Sequence, residues 1–156
     1  MSKQNTRFSA FDSALYYLTF KDRTLKEICS KLKEKGYSDS EIDETVLKLQ
    51  KYGYINEKNY AFSYIKSNIN KKGSKLITME LCSKGIPKDI ILEELDEFDQ
   101  QEEDCILNML SSKYSDVDLE DDRQVRRIYS FFARRGFKYD SISNALSIYR
   151  KNIKIF

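Results

Sequence analysis

The sequence contains no histidine. That removes most zinc sites and every Ser-His or Cys-His nucleophile arrangement. Its three cysteines (Cys29, Cys82 and Cys105) stand far apart, with no Cys-x-x-Cys pair. An odd, scattered set of this kind fits reduced thiols in a cytoplasm. Apolar runs are only a few residues long, so no segment is expected to cross a bilayer. The stretch "MSKQNTRFSAFDS" at the N-terminus has no apolar h-region, so no secretory signal is expected. No glycine-rich phosphate loop is present, because the spacing of a Walker or dinucleotide fingerprint is missing. Period-two alternation of the kind that marks strands is absent as well.

What is present is a soluble, globular composition: 156 residues, 40% hydrophobic and 33% charged. That length makes one ordinary domain or a short array of small units. The net charge of +2 hides a segregation. Residues 1–92 carry a net +6, residues 93–122 a net −12, and residues 123–156 a net +8. An acidic block between two basic ones is either the footprint of an electrostatic partner or a set of solvated helix faces.

Three phrases repeat: "LKEKGYSDSEI" (Leu32–Ile42), "LCSKGIPKDII" (Leu81–Ile91) and "FARRGFKYDSI" (Phe132–Ile142). A basic residue precedes each glycine, Gly36, Gly85 and Gly136, and a large apolar residue follows it. Upstream, Leu25, Ile28, Cys29 and Leu32 have helical spacing, matched by Val125, Ile128, Tyr129 and Phe132. Downstream, Ile42, Val46 and Leu49 match Ile91, Leu95 and Phe98, and then Ile142, Leu146 and Tyr149. Each glycine therefore stands between two amphipathic helices. It is read as a C′ stop at positive φ, where a Cβ would clash. The residue after it should pack three places before the cap: Tyr37 on Leu32, Ile86 on Leu81, Phe137 on Phe132. Thr24–Glu27 and Ser38–Glu41 have the capping-box pattern, and Pro87 opens a helix.

A third helix precedes each pair, marked by Phe11, Ala14, Leu15 and Leu18, by Ala61, Tyr64, Ile65 and Ile69, and by Ile106, Met109 and Leu110. The expected fold is all-α: three tandem three-helix repeats in an elongated array. Expected domains are 1–52, 53–99 and 100–156. Expected helices span 8–19, 24–35, 39–51, 57–71, 74–84, 87–98, 100–114, 122–135 and 139–151.

The three glycine phrases, the linker "GYINEKNYAFSYI" (Gly53–Ile65) and the terminal "RRGF" resemble the RecX family, bacterial regulators of the RecA recombinase. The resemblance runs over about residues 10–150. The family usually has aspartate where Glu57 stands, and a small polar residue where Lys138 stands. The resemblance implies a fold of tandem three-helix repeats and a non-enzymatic role, and no cofactor or metal is expected. It also implies that the chain binds RecA and its single-stranded-DNA filament, opposing filament growth and lowering ATPase and strand exchange.

The family's recognisable residues are packing and turn positions, so candidate contact residues come from chemistry. Lys71, Lys72 and Lys75 surround Gly73. Arg123, Arg126, Arg127, Arg134 and Arg135 lie on or at the end of one helix. They are read as a basic face for an acidic recombinase surface or for DNA phosphate, and the alternative function is a helical-repeat nucleic-acid-binding protein acting mainly through DNA contact. The competing reading is a solvated face partly neutralised by residues 93–122. Tyr16 and Tyr17 are read as half-buried rather than as anchors. The cysteines are read as small hydrophobes, Cys29 most clearly. The acidic stretch Asp96–Asp104 lacks the spacing of a calcium loop. A monomer is expected, with no membrane partner.

Overall fold

The computed structural model describes residues 8–154. Among them there are nine helices and no strand: α1 (Ala10–Leu18), α2 (Leu25–Glu34), α3 (Asp39–Lys51), α4 (Glu57–Asn68), α5 (Ser74–Ser83), α6 (Lys88–Asp96), α7 (Asp99–Lys113), α8 (Asp122–Arg134) and α9 (Tyr139–Lys154). They form three sets of three, and each set closes on its own core. Ile28, Leu32 and Leu49 are central to the first, Ile65, Ile77 and Leu81 to the second, and Ile106, Phe132 and Leu146 to the third. The first and third helices of each repeat pack most extensively on one another.

Local chemistry sets the boundaries. Both capping boxes form, at Thr24 with Glu27 and at Ser38 with Glu41. Gly36, Gly85 and Gly136 lie at φ between +82° and +88°. Each glycine amide bonds back two residues before the cap, at Lys33, Cys82 and Ala133. Each following amide bonds to Leu32, Leu81 or Phe132, and those are the expected apolar partners. Gly53, at the start of the linker "GYINEKNYAFSYI", is a fourth stop of the same kind, at φ +72°. Pro87 is the N-cap of α6 rather than its first residue. Helix α4 ends at Asn68, short of the expected 71, and the Lys71 and Lys72 amides share the Asn68 carbonyl in the turn that follows. Helix α9 runs on to Lys154.

The second helices of the repeats stand end to end, in the order α8, α5, α2. At the start of α5 the Gly73 amide donates to the Arg135 carbonyl (2.8 Å), and the Lys75 amide to the Gly136 carbonyl (2.9 Å). At the other end of α5, the Thr24 hydroxyl that caps α2 donates to the Lys84 carbonyl (2.7 Å) and Lys26 Nζ to the Ser83 carbonyl (3.0 Å). At the start of α5 the carbonyls that end α8 thus satisfy backbone amides that otherwise lack partners, whereas at the start of α2 side chains reach back to the carbonyls that end α5. A side chain at Gly73 would fall on the Gly136 carbonyl and the Phe137 amide. One buried carboxylate fastens the same joint. Glu102 of α7 accepts from the Ser74 amide (3.0 Å), the Ser74 and Ser141 hydroxyls (3.2 Å each) and the Lys138 amide (3.4 Å). It thereby serves the start of α9, where Lys138 has no capping side chain to offer.

Candidate partner interface

The column brings together two basic groups that are distant in the chain. Lys71, Lys72 and Lys75 flank the Gly73 end of the joint, and Arg134 and Arg135 flank the other. Lys71 and Lys75 are exposed, and among the described residues neither has a carboxylate within 4 Å. Lys72 is different. Its ammonium donates to both oxygens of Glu80 (2.8 and 3.0 Å), and the Tyr64 hydroxyl donates to Glu80 Oε2 at 2.6 Å. The hydrogen bond from Lys72, with that from Tyr64, holds the Glu80 carboxyl below its usual range. Burial first, and then the bond to Glu80, push the Tyr64 phenol up to about 12. The Lys72 charge is committed inside the repeat, which leaves Lys71, Lys75 and the arginines to face outward.

Arg123, Arg127 and Arg134 fall at helical spacing on the side of α8 opposite buried Ile128 and Phe132. Arg126 lies beside this row, and all four are exposed. Arg134 Nε donates to the Ser130 carbonyl (3.2 Å). Arg135 donates to the Phe131 carbonyl (3.3 Å) and its guanidinium sits 3.6 Å from the Phe131 ring centre, with Lys113 Nζ 4.0 Å from the same centre. Arg134 and Arg135 thus bond the last carbonyls of α8 while keeping their charge at the surface.

Part of the acidic block is used elsewhere. Glu93 and Glu94 pair with Lys58, and Asp99 and Glu102 with Lys138. Glu103 accepts from Asn144. Asp121 caps α8 by accepting from the Arg123 amide, and this bond, with Gln124 and the charge of Arg127, lowers its pKa. Among the described residues, no carboxylate lies within 4 Å of any of the five arginines. The expected neutralisation of the arginine row by residues 93–122 is therefore not made through ion pairs.

The remaining candidates sort by burial. Tyr17 is half-buried against the first core, but Tyr16 is 59% exposed. Cys105 is the buried cysteine, Cys29 is intermediate and Cys82 exposed. Burial raises the thiol pKa of Cys29 and Cys105. No cluster of His, Cys, Asp and Glu able to hold a metal occurs among the described residues. Sequence reasoning missed Glu80, Glu102 and the Gly73 joint. Glu102 did carry a signal, since it sits on the apolar stripe of α7 one turn before Ile106 and two before Leu110. The Gly73 joint carried none, because a contact between distant segments leaves no local pattern.

Tandem three-helix units joined helix end to helix end define the class: a small all-α repeat protein with an outward basic surface. Family comparison narrows it. Residues 10–49 match the model of the RecX first three-helix domain, and residues 56–95 that of the second. "Regulatory protein RecX" of Chlorobium phaeobacteroides is 32% identical over 139 residues, covering 88% of this chain and 91% of the relative. The Clostridium beijerinckii protein of the same name is 32% identical over 139 residues, covering 86% of this chain. The chain spans 65% of that clostridial relative's length. A crystal structure of RecX from Lactobacillus salivarius superposes with a TM-score of 0.80 at 30% identity, over 88% of this chain and 92% of that one. The chain belongs to the RecX family. Relatives in this family are named as regulatory proteins. No helix among the described residues is long and apolar enough to cross a membrane.

Proposed function

We propose that this protein is a cytoplasmic, non-enzymatic regulator that binds the RecA recombinase on its single-stranded-DNA filament. In this reading it opposes filament growth and lowers ATPase and strand-exchange activity. Family membership supports the regulatory role. The observation that carries the contact is the outward basic surface where α8 meets α5: Lys71 and Lys75 beside Arg134 and Arg135, continued by Arg123, Arg126 and Arg127. Exposed arginines without ion pairs are free to meet an acidic protein face or phosphate, and bidentate guanidinium groups suit both. A linear array suits a repeating partner, because successive repeats can touch successive subunits.

The test is the DNA-dependent ATPase of the recombinase across a salt series. Reversing Arg126 and Arg127 together to glutamate leaves the buried side of α8 untouched, so the melting temperature should barely change. Inhibition should fall sharply, most of all at low salt. Full inhibition by the folded variant would remove the arginine row from the contact. A Lys71→Glu/Lys75→Glu variant then asks whether the α5 end of the surface carries it.

A further inference from the structure

A second surface, on the first repeat and its seam with the second, has a chemistry of its own. Three rings meet there: Phe11 lies 6.4 Å from Tyr52 and 6.2 Å from Tyr54, and these two lie 6.4 Å apart, all edge to face. Tyr52 and Tyr54 are 62% and 53% exposed, so the ring cluster opens to solvent rather than filling a core. Lys48 Nζ is 5.7 Å from the Phe11 ring centre and Lys51 Nζ 6.0 Å from that of Tyr52. Neither lysine has a carboxylate within 4 Å among the described residues.

Tyr54 also walls a cleft of about 200 Å³ between the repeats, where Tyr60 provides a second ring. Its polar lining includes Asp22, Arg23, Asn59 and Ser63. The Arg23 Nε donor is buried and has no acceptor in the protein. Asn59 and Ser63 are one turn apart on α4, and the capped N-terminus of that helix, at Asn56, lines the same cleft. The volume is below the roughly 300–1,000 Å³ typical of a small-molecule site. Exposed rings alternating with unpaired cations, leading to a small polar slot between two rings, match an unstacked base with its phosphate. Every base has a face to stack on a tyrosine, and the lysines and Arg23 meet the backbone charge.

We propose that this track, from Phe11 and Tyr52 through Tyr54 into the Arg23 cleft, binds single-stranded nucleic acid. It is separate from the α8 surface, and it acts on bare strand without any recombinase. The measurement is fluorescence anisotropy of a labelled oligo-dT with the full chain and no recombinase present. Tyr54→Ala combined with Arg23→Gln should weaken binding at least about tenfold. Lys48→Gln with Lys51→Gln should flatten the log–log salt slope by about 1.4. Arg126→Glu/Arg127→Glu should keep most of the strand affinity. Because the chain has no tryptophan, Tyr54→Trp supplies a single reporter that keeps an aromatic ring in place. That variant should bind, and its indole emission should be quenched by oligo-dT but much less by duplex of equal length, whose base faces are covered. The proposal is overturned if the wild-type chain does not bind oligo-dT at low salt, or if the indole emission of Tyr54→Trp ignores the strand. Unchanged binding by folded Tyr54→Ala/Arg23→Gln overturns it too. None of these results bears on the ATPase test of the filament reading.

Discussion

The Gly73 amide donates to the Arg135 carbonyl at 2.8 Å, so two helices of different repeats meet backbone to backbone with no side chain between them. A methyl group at Gly73 would land on the Gly136 carbonyl and the Phe137 amide, which cannot swing aside as a side chain would. Gly73→Ala should therefore open the joint and cost several kcal/mol, on the order of the largest single-site effects. Gly53→Ala is the contrast. Its φ of +72° is strained for alanine, but the space around it is empty, so about 1–2 kcal/mol is expected. Gly85→Val combines positive φ with a contact 2.7 Å from Lys26 Cβ, and should cost at least as much as Gly53→Ala. Urea denaturation of the three variants checks the order, and equal midpoints for Gly73→Ala and Gly53→Ala would refute the close joint.

Glu102 is 1% exposed and accepts hydrogen bonds from Ser74, Lys138 and Ser141, with Lys138 Nζ 4.0 Å away. Glu102→Ala strands those donors and should destabilise the chain by about 2–4 kcal/mol. Ser141→Ala removes one donor of the set and should cost about 1 kcal/mol. If Glu102→Ala melted like wild type, the carboxylate would not be what fastens the second repeat to the third.

Two glutamates give opposite pH signatures. Glu80 is held below its usual pKa by Lys72 and Tyr64, so the unfolded chain binds the proton more tightly. Its stabilisation is present above the ordinary carboxylate pKa and is lost as pH falls through the lowered value. Glu57 is raised by burial, and one of its oxygens is buried without a partner. There the folded chain binds the proton more tightly, so stability declines as pH rises from the ordinary carboxylate pKa through the raised one. Glu80→Gln should lower the melting temperature at pH 7 and close the gap to wild type in acid. Glu57→Gln should raise it at pH 7 and lose that advantage in acid. Melting curves from pH 3 to pH 7 would expose a wrong sign in either case.

The helices and their stops were legible because each is written locally: an apolar stripe, a cap, a glycine with a large residue after it. The boundaries of α3 and α8 were read to within a residue for this reason. The pairing of Lys72 with Glu80 was not, although both lie on one short segment. The Lys72 side chain reaches forward from the turn before α5 to a residue in the second half of that helix, eight positions on. The meeting of Lys71 and Lys75 with Arg134 and Arg135 was illegible for a different reason. It depends on which helix end abuts which, and the three repeats present nearly the same phrase at every end. The arginine row was visible in sequence as charge, but its lack of ion pairs was not, because the acidic block beside it could have folded onto it.

The end-to-end column also has an electrical polarity. Aligned peptide dipoles leave about half a positive charge at a helix start and half a negative charge at its end. Where α8 runs into α5, and α5 into α2, these opposite partial charges meet and cancel. Only the two outer ends remain, and each carries side chains of the opposite sign. Glu120, Asp121 and Asp122 stand at the positive start of α8, and Lys31, Lys33 and Lys35 at the negative end of α2. The joined helices therefore expose only two uncompensated ends, and both already carry side chains of opposite charge. Another helix stacked on either end would have to displace those charges first.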